Sequence, residues 1–296
     1  MKNNLLQIAV MAVIIFIYSF SRPGYDTTQT PFEPAFPQYP PFLEADEAWV
    51  DSVMAELSLE DRIAQMIMIY AYSNMGPEHE KMVLRQIKRD KVGGILFFQG
   101  EPLEQARLTN RFQDAAEVPL LISIDGENGL GMRLKNTMTY PSMMTLGAIS
   151  DHSLIYRLGG DMADQFRRLG VHLNLAPVAD INNNPSNPVI GSRSFGEDRR
   201  NVAEKVIALM EGMQDHGLLV AAKHYPGHGD TDTDSHHALP VIPHDMERLD
   251  SIELYPFSEA IKRGLTGIMV AHLQVPAMDD RDNRATTLSR PATSKG

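Results

Sequence analysis

From Lys223 to His237 the chain reads Lys-His-Tyr-Pro-Gly-His-Gly-Asp-Thr-Asp-Thr-Asp-Ser-His-His, gathering four of the ten histidines with three aspartates and a lysine. Ionisable groups this dense are costly to fold around, because each must stay in water or find a partner. A site accounts for that cost better than packing does. In Asp234-Ser235-His236 an extended backbone turns residues i and i+2 to the same side, roughly 7 Å apart along the chain. Taken alone, an Asp-x-His of this kind reads first as a solvated surface loop. His237 falls on the opposite side of such a segment.

A rival chemistry is metal binding. His224, His228, Asp230, Asp232 and Asp234 are ligand types for zinc or another divalent ion. Histidines four apart share a metal most easily on one helix face, and Pro226, Gly227 and Gly229 argue against a helix here. The aspartate spacing suits a calcium loop, but the sixth and twelfth positions, which need glycine and glutamate, are Ser235 and Val241. No metal and no cofactor are therefore expected, and no Gly-rich phosphate loop is present.

The elements that must hold these residues repeat along the chain. A helical stretch ends at glycine and an apolar run follows: Gly170 before Val171–Ala176, Gly217 before Leu218–Ala222, and Gly264 before Gly267–Ala271. Glycine just past a helix supplies the left-handed residue that ends it, and the apolar run reads as an inner strand buried on both faces. Gly94–Phe98 and Pro119–Ile124 read as two earlier strands, with a weaker first one within Met66–Tyr70. Ser58-Leu59-Glu60-Asp61 is a helix start of the capping-box kind, with Ile63, Met66 and Ile67 following at helical spacing.

Alternating strands and helices imply a parallel sheet in an α/β protein. Asp125, Asp180, Lys223, His224 and His272 all fall just past expected strand C-termini, where a (β/α)8 barrel places its site and where a doubly wound sheet has its crevice. About six strands are legible, too few to separate the two by counting.

At 296 residues the chain can bury a sizeable core. Its net charge of −11 argues against a nucleic-acid partner. The absence of cysteine excludes disulfides and thiolate metal sites. Residues 1–21, with Lys2 before the apolar run Leu5–Phe20 and the small-x-small site Ser19-Phe20-Ser21, read as a signal peptide, with an uncleaved membrane anchor as the alternative. A Pro-rich linker covers residues 22–42, and a catalytic body covers 43–296. The expected location is periplasmic, cell-surface or secreted.

The 223–236 stretch resembles the signature of glycoside hydrolase family 3, in its β-N-acetylglucosaminidase branch. Three further pieces agree in order and spacing: Ile124–Gly129, Gly191–Asp198, and Ile268–His272 with Ala285–Ser289. The resemblance runs from about Ser58 to the last residue. It implies a (β/α)8 barrel, a carbohydrate partner containing N-acetylglucosamine, and retaining hydrolysis through a covalent glycosyl-enzyme. It implies His236 as acid/base, an imidazole titrating near neutrality that can give and retrieve a proton, with Asp234 to orient the ring and stabilise its charged form and with His237 ranked second. It implies Asp125, Arg193, Lys223 and His224 as holders of sugar hydroxyls. The nucleophilic aspartate of the family sits a little beyond Ser289, so the chain is expected to be the front part of a longer protein, with an incomplete barrel and little hydrolysis of its own. The loop at Asp125 departs from the family's Gln-Glu-Gly-Gly-Arg run, which leaves open which arginine reaches the sugar there.

Other assignments compete. Arg193 could instead pair with Glu197 or Asp198, and His224 could be a satisfied core histidine. His228 is expected to brace the Pro-Gly turn, Asp180 to be a loop hydrogen-bonder, Trp49 and the methionines to pack, and His272 either to pack or to floor the site. A β-glucosidase of the same family, a metal-dependent hydrolase and a non-catalytic carbohydrate-binding remnant remain as alternative functions.

Overall fold

The computed structural model describes residues 47–233 and 238–279. After helices α1 (Glu47–Glu56) and α2 (Leu59–Gln65), strands and helices alternate: β1 (Met68–Ala71), α3 (Gly76–Asp90), β2 (Gly94–Phe97), α4 (Pro102–Ala115), β3 (Leu121–Ile124), α5 (Met143–Gly147), α6 (His152–Arg168), β4 (Leu173–Asn174), α7 (Arg199–Asp215), β5 (Leu219–Val220), β6 (Ala222–Tyr225), α8 (Met246–Ser251), α9 (Tyr255–Lys262) and β7 (Ile268–Val270).

All pairings between these strands are parallel, in the order β1-β2-β3-β4-β5 in one sheet and β6-β7 in a second. Ala221 joins the two sheets. Its N–H donates to the carbonyls of Asn174 and Ala176 at 3.0 and 3.2 Å, while the N–H of Ala222 donates to Gly267 at 3.0 Å. Residues 219–225 therefore act as one rail, with the β4 segment on one edge and β7 on the other. Strands adjacent in sequence are adjacent in space throughout. A doubly wound sheet reverses its strand order at a switch point, so sequential order assigns the fold to the (β/α)-barrel type. Among the described residues β1 pairs only with β2 and β7 only with β6, and no closed ring is formed.

The strands form because they are short apolar runs flanked by helix stops. Gly170, Gly217 and Gly264 take φ of 70°, 76° and 80°, the left-handed conformation that ends α6, α7 and α9 before the next strand segment. Helix starts are capped by short side chains: Ser58 Oγ accepts from Asp61 N at 3.1 Å, and Asp198 from Asn201 N at 2.8 Å. Ile95, Phe97, Ile122, Ile124, Phe112, Phe166 and Leu209 pack between sheet and helices with essentially no exposure. Helices α6 and α7 approach closely at Gly159 and Gly212. A Cβ on Gly212 would lie 2.0 Å from the Tyr156 carbonyl oxygen.

The N-terminal elements depart from expectation. Helix α2 ends at Gln65, so of the residues at helical spacing only Ile63 lies within it, while Met66 caps it and Ile67 leads toward β1; all three are exposed, as is Trp49, which therefore does not pack. Met143, Met162, Met210 and Met213 do pack, and Met75 does not. Among the described residues no helix is long and apolar enough to cross a membrane. The signal peptide or anchor (1–21) and the linker (22–42) lie outside the described residues.

Candidate active site

The site stands at the C-terminal ends of the strands. Lys223 and His224 lie inside β6 rather than beyond it, because the strand continues to Tyr225, with a register irregularity against β7 between Lys223 and Tyr225. Pairing on both edges holds them: Lys223 N–H donates to Pro177 and its carbonyl accepts from Ala179. Asp125 follows β3 directly, and its loop is stapled from β4. The buried Asn174 amide accepts from Gly126 N–H at 3.0 Å and donates to Gly126 O at 3.2 Å.

These elements bring the predicted residues into one ion network. Lys223 Nζ contacts Asp125 Oδ1 at 2.5 Å and Glu127 Oε1 at 2.7 Å. Arg193 donates both Nε and Nη2 to the two oxygens of Glu127, at 3.0 and 2.6 Å. Arg133 donates Nη2 to Asp125 Oδ2 at 2.7 Å and Nε to the Asp125 carbonyl at 2.8 Å. Arg193 thus pairs with Glu127, not with Glu197 or Asp198; Asp198 is committed to capping α7. The arginine at the Asp125 loop is Arg133, while Leu130 is buried in the core.

His224 is fixed from behind. Asp180, fully buried, accepts from His224 Nδ1 at 2.6 Å, from the His224 N–H at 3.2 Å and from the His228 N–H at 2.6 Å. The opposite ring nitrogen, Nε2, faces Arg193 Nη2 at 3.2 Å. A guanidinium only donates, so Nε2 accepts and Nδ1 carries the proton. His224 is thus neither a packed core histidine nor free. Asp180 is a hydrogen-bonder, as expected, but its bonds fix the site's own backbone.

Three carboxylates (Asp125, Glu127, Asp180) face three cations (Lys223, Arg193, Arg133), which is the balance that burial demands. Burial alone would raise the Glu127 carboxyl, but Arg193 and Lys223 outweigh it and hold it at about 2. Burial likewise opposes ionisation of Asp180, yet His224 and the two N–H donors keep its carboxyl below the usual range. Arg193 is raised despite burial, by Glu127 first.

His228 braces the turn: its Nδ1 lies 2.7 Å from Thr231 Oγ1. Asn187 Nδ2 donates to the carbonyls of His228 and Thr231 at 2.8 and 2.9 Å. Gly229 is required, since a Cβ there would lie 1.7 Å from the Ile181 carbonyl oxygen. His272 is exposed past β7. Asp234, His236 and His237 lie outside the described residues, so the expected acid/base pair does too. His224 and His228 are not joined with Asp230 or Asp232 into a ligand set. Among the described residues one group has metal-ligand character, Asp230, His244 and Glu253, with donor atoms within 4.8 Å of one another. Arg248 already stands there, 3.0 Å from Glu253 and 3.6 Å from Asp230.

Glu127, Arg133, Asp180 and Asn174 are the site residues to which sequence reading assigned no site role. Glu127 and Arg133 were visible as charges in a glycine-rich loop after a strand, which is the one signal that pointed to them.

Over 240 residues the chain is 35% identical to beta-hexosaminidase A of Pseudoalteromonas piscicida, a match covering 75% of this chain and 40% of that protein. It is 29% identical over 297 residues to the beta-hexosaminidase LpqI of Mycobacterium tuberculosis, covering 97% and 74%. A solved glycoside hydrolase family 3 beta-N-acetylglucosaminidase from Paenibacillus sp. str. FPU-7 superposes with a TM-score of 0.74 at 42% identity, covering 80% of this chain and 46% of that one. The chain spans 40%, 58% and 62% of the lengths of three curated hexosaminidases it matches. Residues 58–295 match the Glycosyl hydrolase family 3 N terminal domain, and the chain belongs to that family.

Proposed function

We propose that this chain supplies the catalytic barrel of an exported, metal-independent, retaining β-N-acetylhexosaminidase that removes terminal β-linked N-acetylglucosamine from peptidoglycan fragments. The observation that carries the reading is the convergence of Asp125, Arg193, Lys223 and His224 at one end of a parallel sheet. Carboxylate and guanidinium groups there can grip neighbouring hydroxyls by paired hydrogen bonds. Lys223 spends two of its three donors on Asp125 and Glu127, which leaves one for a sugar hydroxyl. Asp125 and Arg193 keep side-chain exposures of 19% and 31%, so a ligand can reach them.

In this reading His236, steered by Asp234, protonates the leaving oxygen and later retrieves a proton from water. The attacking carboxylate is an aspartate outside this sequence. Among the described residues, Asp125 and Glu127 are each held by two cations, and Asp180 is buried beneath His224. None of the three is free to attack a carbon.

The experiment is hydrolysis of p-nitrophenyl β-N-acetylglucosaminide and of the β-glucoside by the full-length protein that carries this chain. Preferred release from the former is expected, unaffected by a chelator, with His236→Ala lowering kcat about 10²- to 10⁴-fold. Release from the glucoside alone would make it a β-glucosidase. Loss of activity on chelation would favour a metal-dependent hydrolase, and no release from either would favour a sugar-binding role.

A further inference from the structure

We infer that Phe98 and Tyr72 are positioning residues for Arg133 and, through it, for the sugar-holding carboxylate of Asp125. The inference rests on the function proposed above.

Strand alternation puts both rings outside the core. Phe97 and Ala71 end β2 and β1 facing the helices, 1% and 0% exposed, so the next residue on each strand turns to the other side. Phe98 and Tyr72 are accordingly half-buried and stand beside the candidate site, at the C-terminal ends of the strands, rather than in the apolar core. Their rings stack on each other, with centroids 5.6 Å apart and planes 21° apart. The Arg133 guanidinium lies over the Phe98 ring, 5.4 Å from its centroid. A cation over an aromatic face is attracted by the ring's quadrupole, and a planar guanidinium also stacks flat against it.

The backbone around the stack is held from several sides. Phe98 N–H donates to Ala71 O at 2.9 Å, and Tyr72 N–H donates to His79 Nε2 at 3.0 Å. Gly100 N–H donates to Arg133 O at 3.2 Å, and its carbonyl accepts from Lys135 N–H at 3.0 Å. The loop that follows Phe98 is therefore paired with the segment that carries Arg133. Its close approach to the end of β1 needs glycine, since a Cβ on Gly100 would lie 1.8 Å from Ser73 Oγ. Ring and guanidinium are thus brought together by fixed backbone, and the freedom that remains is that of the side chains.

Both Arg133 bonds land on one residue. Nε holds the Asp125 carbonyl at 2.8 Å and Nη2 holds Oδ2 at 2.7 Å, so the guanidinium sets the angle between that carboxylate and its own backbone. Lys223 Nζ holds the other oxygen, but an ammonium is a point charge about which a carboxylate can turn. The plane of Asp125 therefore depends on the plane of Arg133, which depends on the Phe98 face and its Tyr72 backing. Removing the ring leaves the charge of Arg133 in place and frees its orientation. The loss falls on the hold of the terminal sugar rather than on proton transfer.

The test uses the full-length protein and p-nitrophenyl β-N-acetylglucosaminide. Phe98→Leu, which keeps an apolar side chain and removes the π face, should raise KM about 5- to 30-fold and leave kcat within about threefold. Phe98→Tyr, which keeps the face, should recover most of that loss. Tyr72→Leu, which removes only the backing, should raise KM about 2- to 10-fold, and it decides the matter if Phe98→Leu does not fold. In an Arg133→Met background Phe98→Leu should add less than about twofold, since a ring that acts through Arg133 has nothing left to act on. Additive effects, an unchanged KM, or a tyrosine variant no better than the leucine one would overturn the inference. If the wild type cleaves no N-acetylglucosaminide, the functional reading fails on its own. The Arg133 Nε–H resonance, assigned by its absence from Arg133→Met, then decides the stack. It should move downfield and exchange faster in the leucine variants, and an unmoved signal overturns the inference.

Discussion

Lys223 Nζ sits 2.7 Å from Glu127 Oε1, with the two side chains only 1% and 5% exposed. Removing one partner of a buried pair leaves an uncompensated charge, at a cost of about 3 to 5 kcal/mol. Lys223→Met should therefore destabilise the protein by an amount in that range, measured by denaturant unfolding. It should also raise KM by removing the ammonium donor to a sugar hydroxyl. A pH scan adds a signed test. The Glu127 carboxyl falls from an ordinary 4.5 to about 2 on folding. A lowered folded pKa contributes stability that is full above the unfolded value and is lost as pH falls through 4.5 toward 2. The shift amounts to about 3 kcal/mol. Glu127→Gln should flatten the stability profile across that acid range.

Asp180 accepts three N–H donors that all belong to the His224–His228 turn. In Asp180→Asn one acceptor oxygen becomes a donor, so at least one of those N–H groups is orphaned in a buried place, at about 1 to 3 kcal/mol. The His224 ring also loses the acceptor that fixes its tautomer. The expected outcome is a kcat/KM loss larger than stability alone explains. Activity assayed well below the variant's melting temperature checks it.

Much of this was legible because the sequence punctuates itself. Gly170, Gly217 and Gly264 mark where helices must stop, and the apolar runs after them are strands in the structure. The site residues Asp125, Lys223 and His224 were found because charge beside an apolar run has few structural explanations. Strand ends were less legible. Lys223 and His224 read as loop, yet pairing on both edges draws them into β6. Their polarity is tolerated there because Asp125, Glu127 and Asp180 neutralise or hydrogen-bond them, and all three arrive from distant sequence. Arg193 was assigned to sugar binding, but its partner Glu127 is 66 positions away, a distance that no local pattern encodes. Trp49 was misread for a related reason, since an apolar side chain does not itself say what covers it.

Gly212 should be intolerant of alanine. Alanine inside a helix is ordinarily better than glycine by about 1 kcal/mol. Here the added methyl would lie 2.0 Å from the Tyr156 carbonyl oxygen and force α6 and α7 apart. Overpacking of this kind costs about 1 to 3 kcal/mol, so steric cost exceeds propensity. A lowered melting temperature in Gly212→Ala checks this; a raised one would mean that the helix pair can slide.

Glu211 offers the opposite sign to Glu127. Burial raises its carboxyl to about 7, and Arg263, bonded at 2.9 Å, only partly offsets that. A raised folded pKa means that the neutral acid is the form the fold prefers. Its contribution is favourable below the unfolded value of 4.5 and is lost as pH rises through 7, by about 3 kcal/mol over that window. Glu211→Gln keeps an oxygen for Arg263 and removes the need to bury a charge. The variant should match the wild type near pH 4 and melt higher at pH 8. Melting curves at the two pH values decide it, and equal curves at pH 8 would mean that Arg263 neutralises Glu211 fully. Because Glu211 sits on α7, away from the Asp125–Lys223 network, the gain should leave the sugar site's binding constants unchanged.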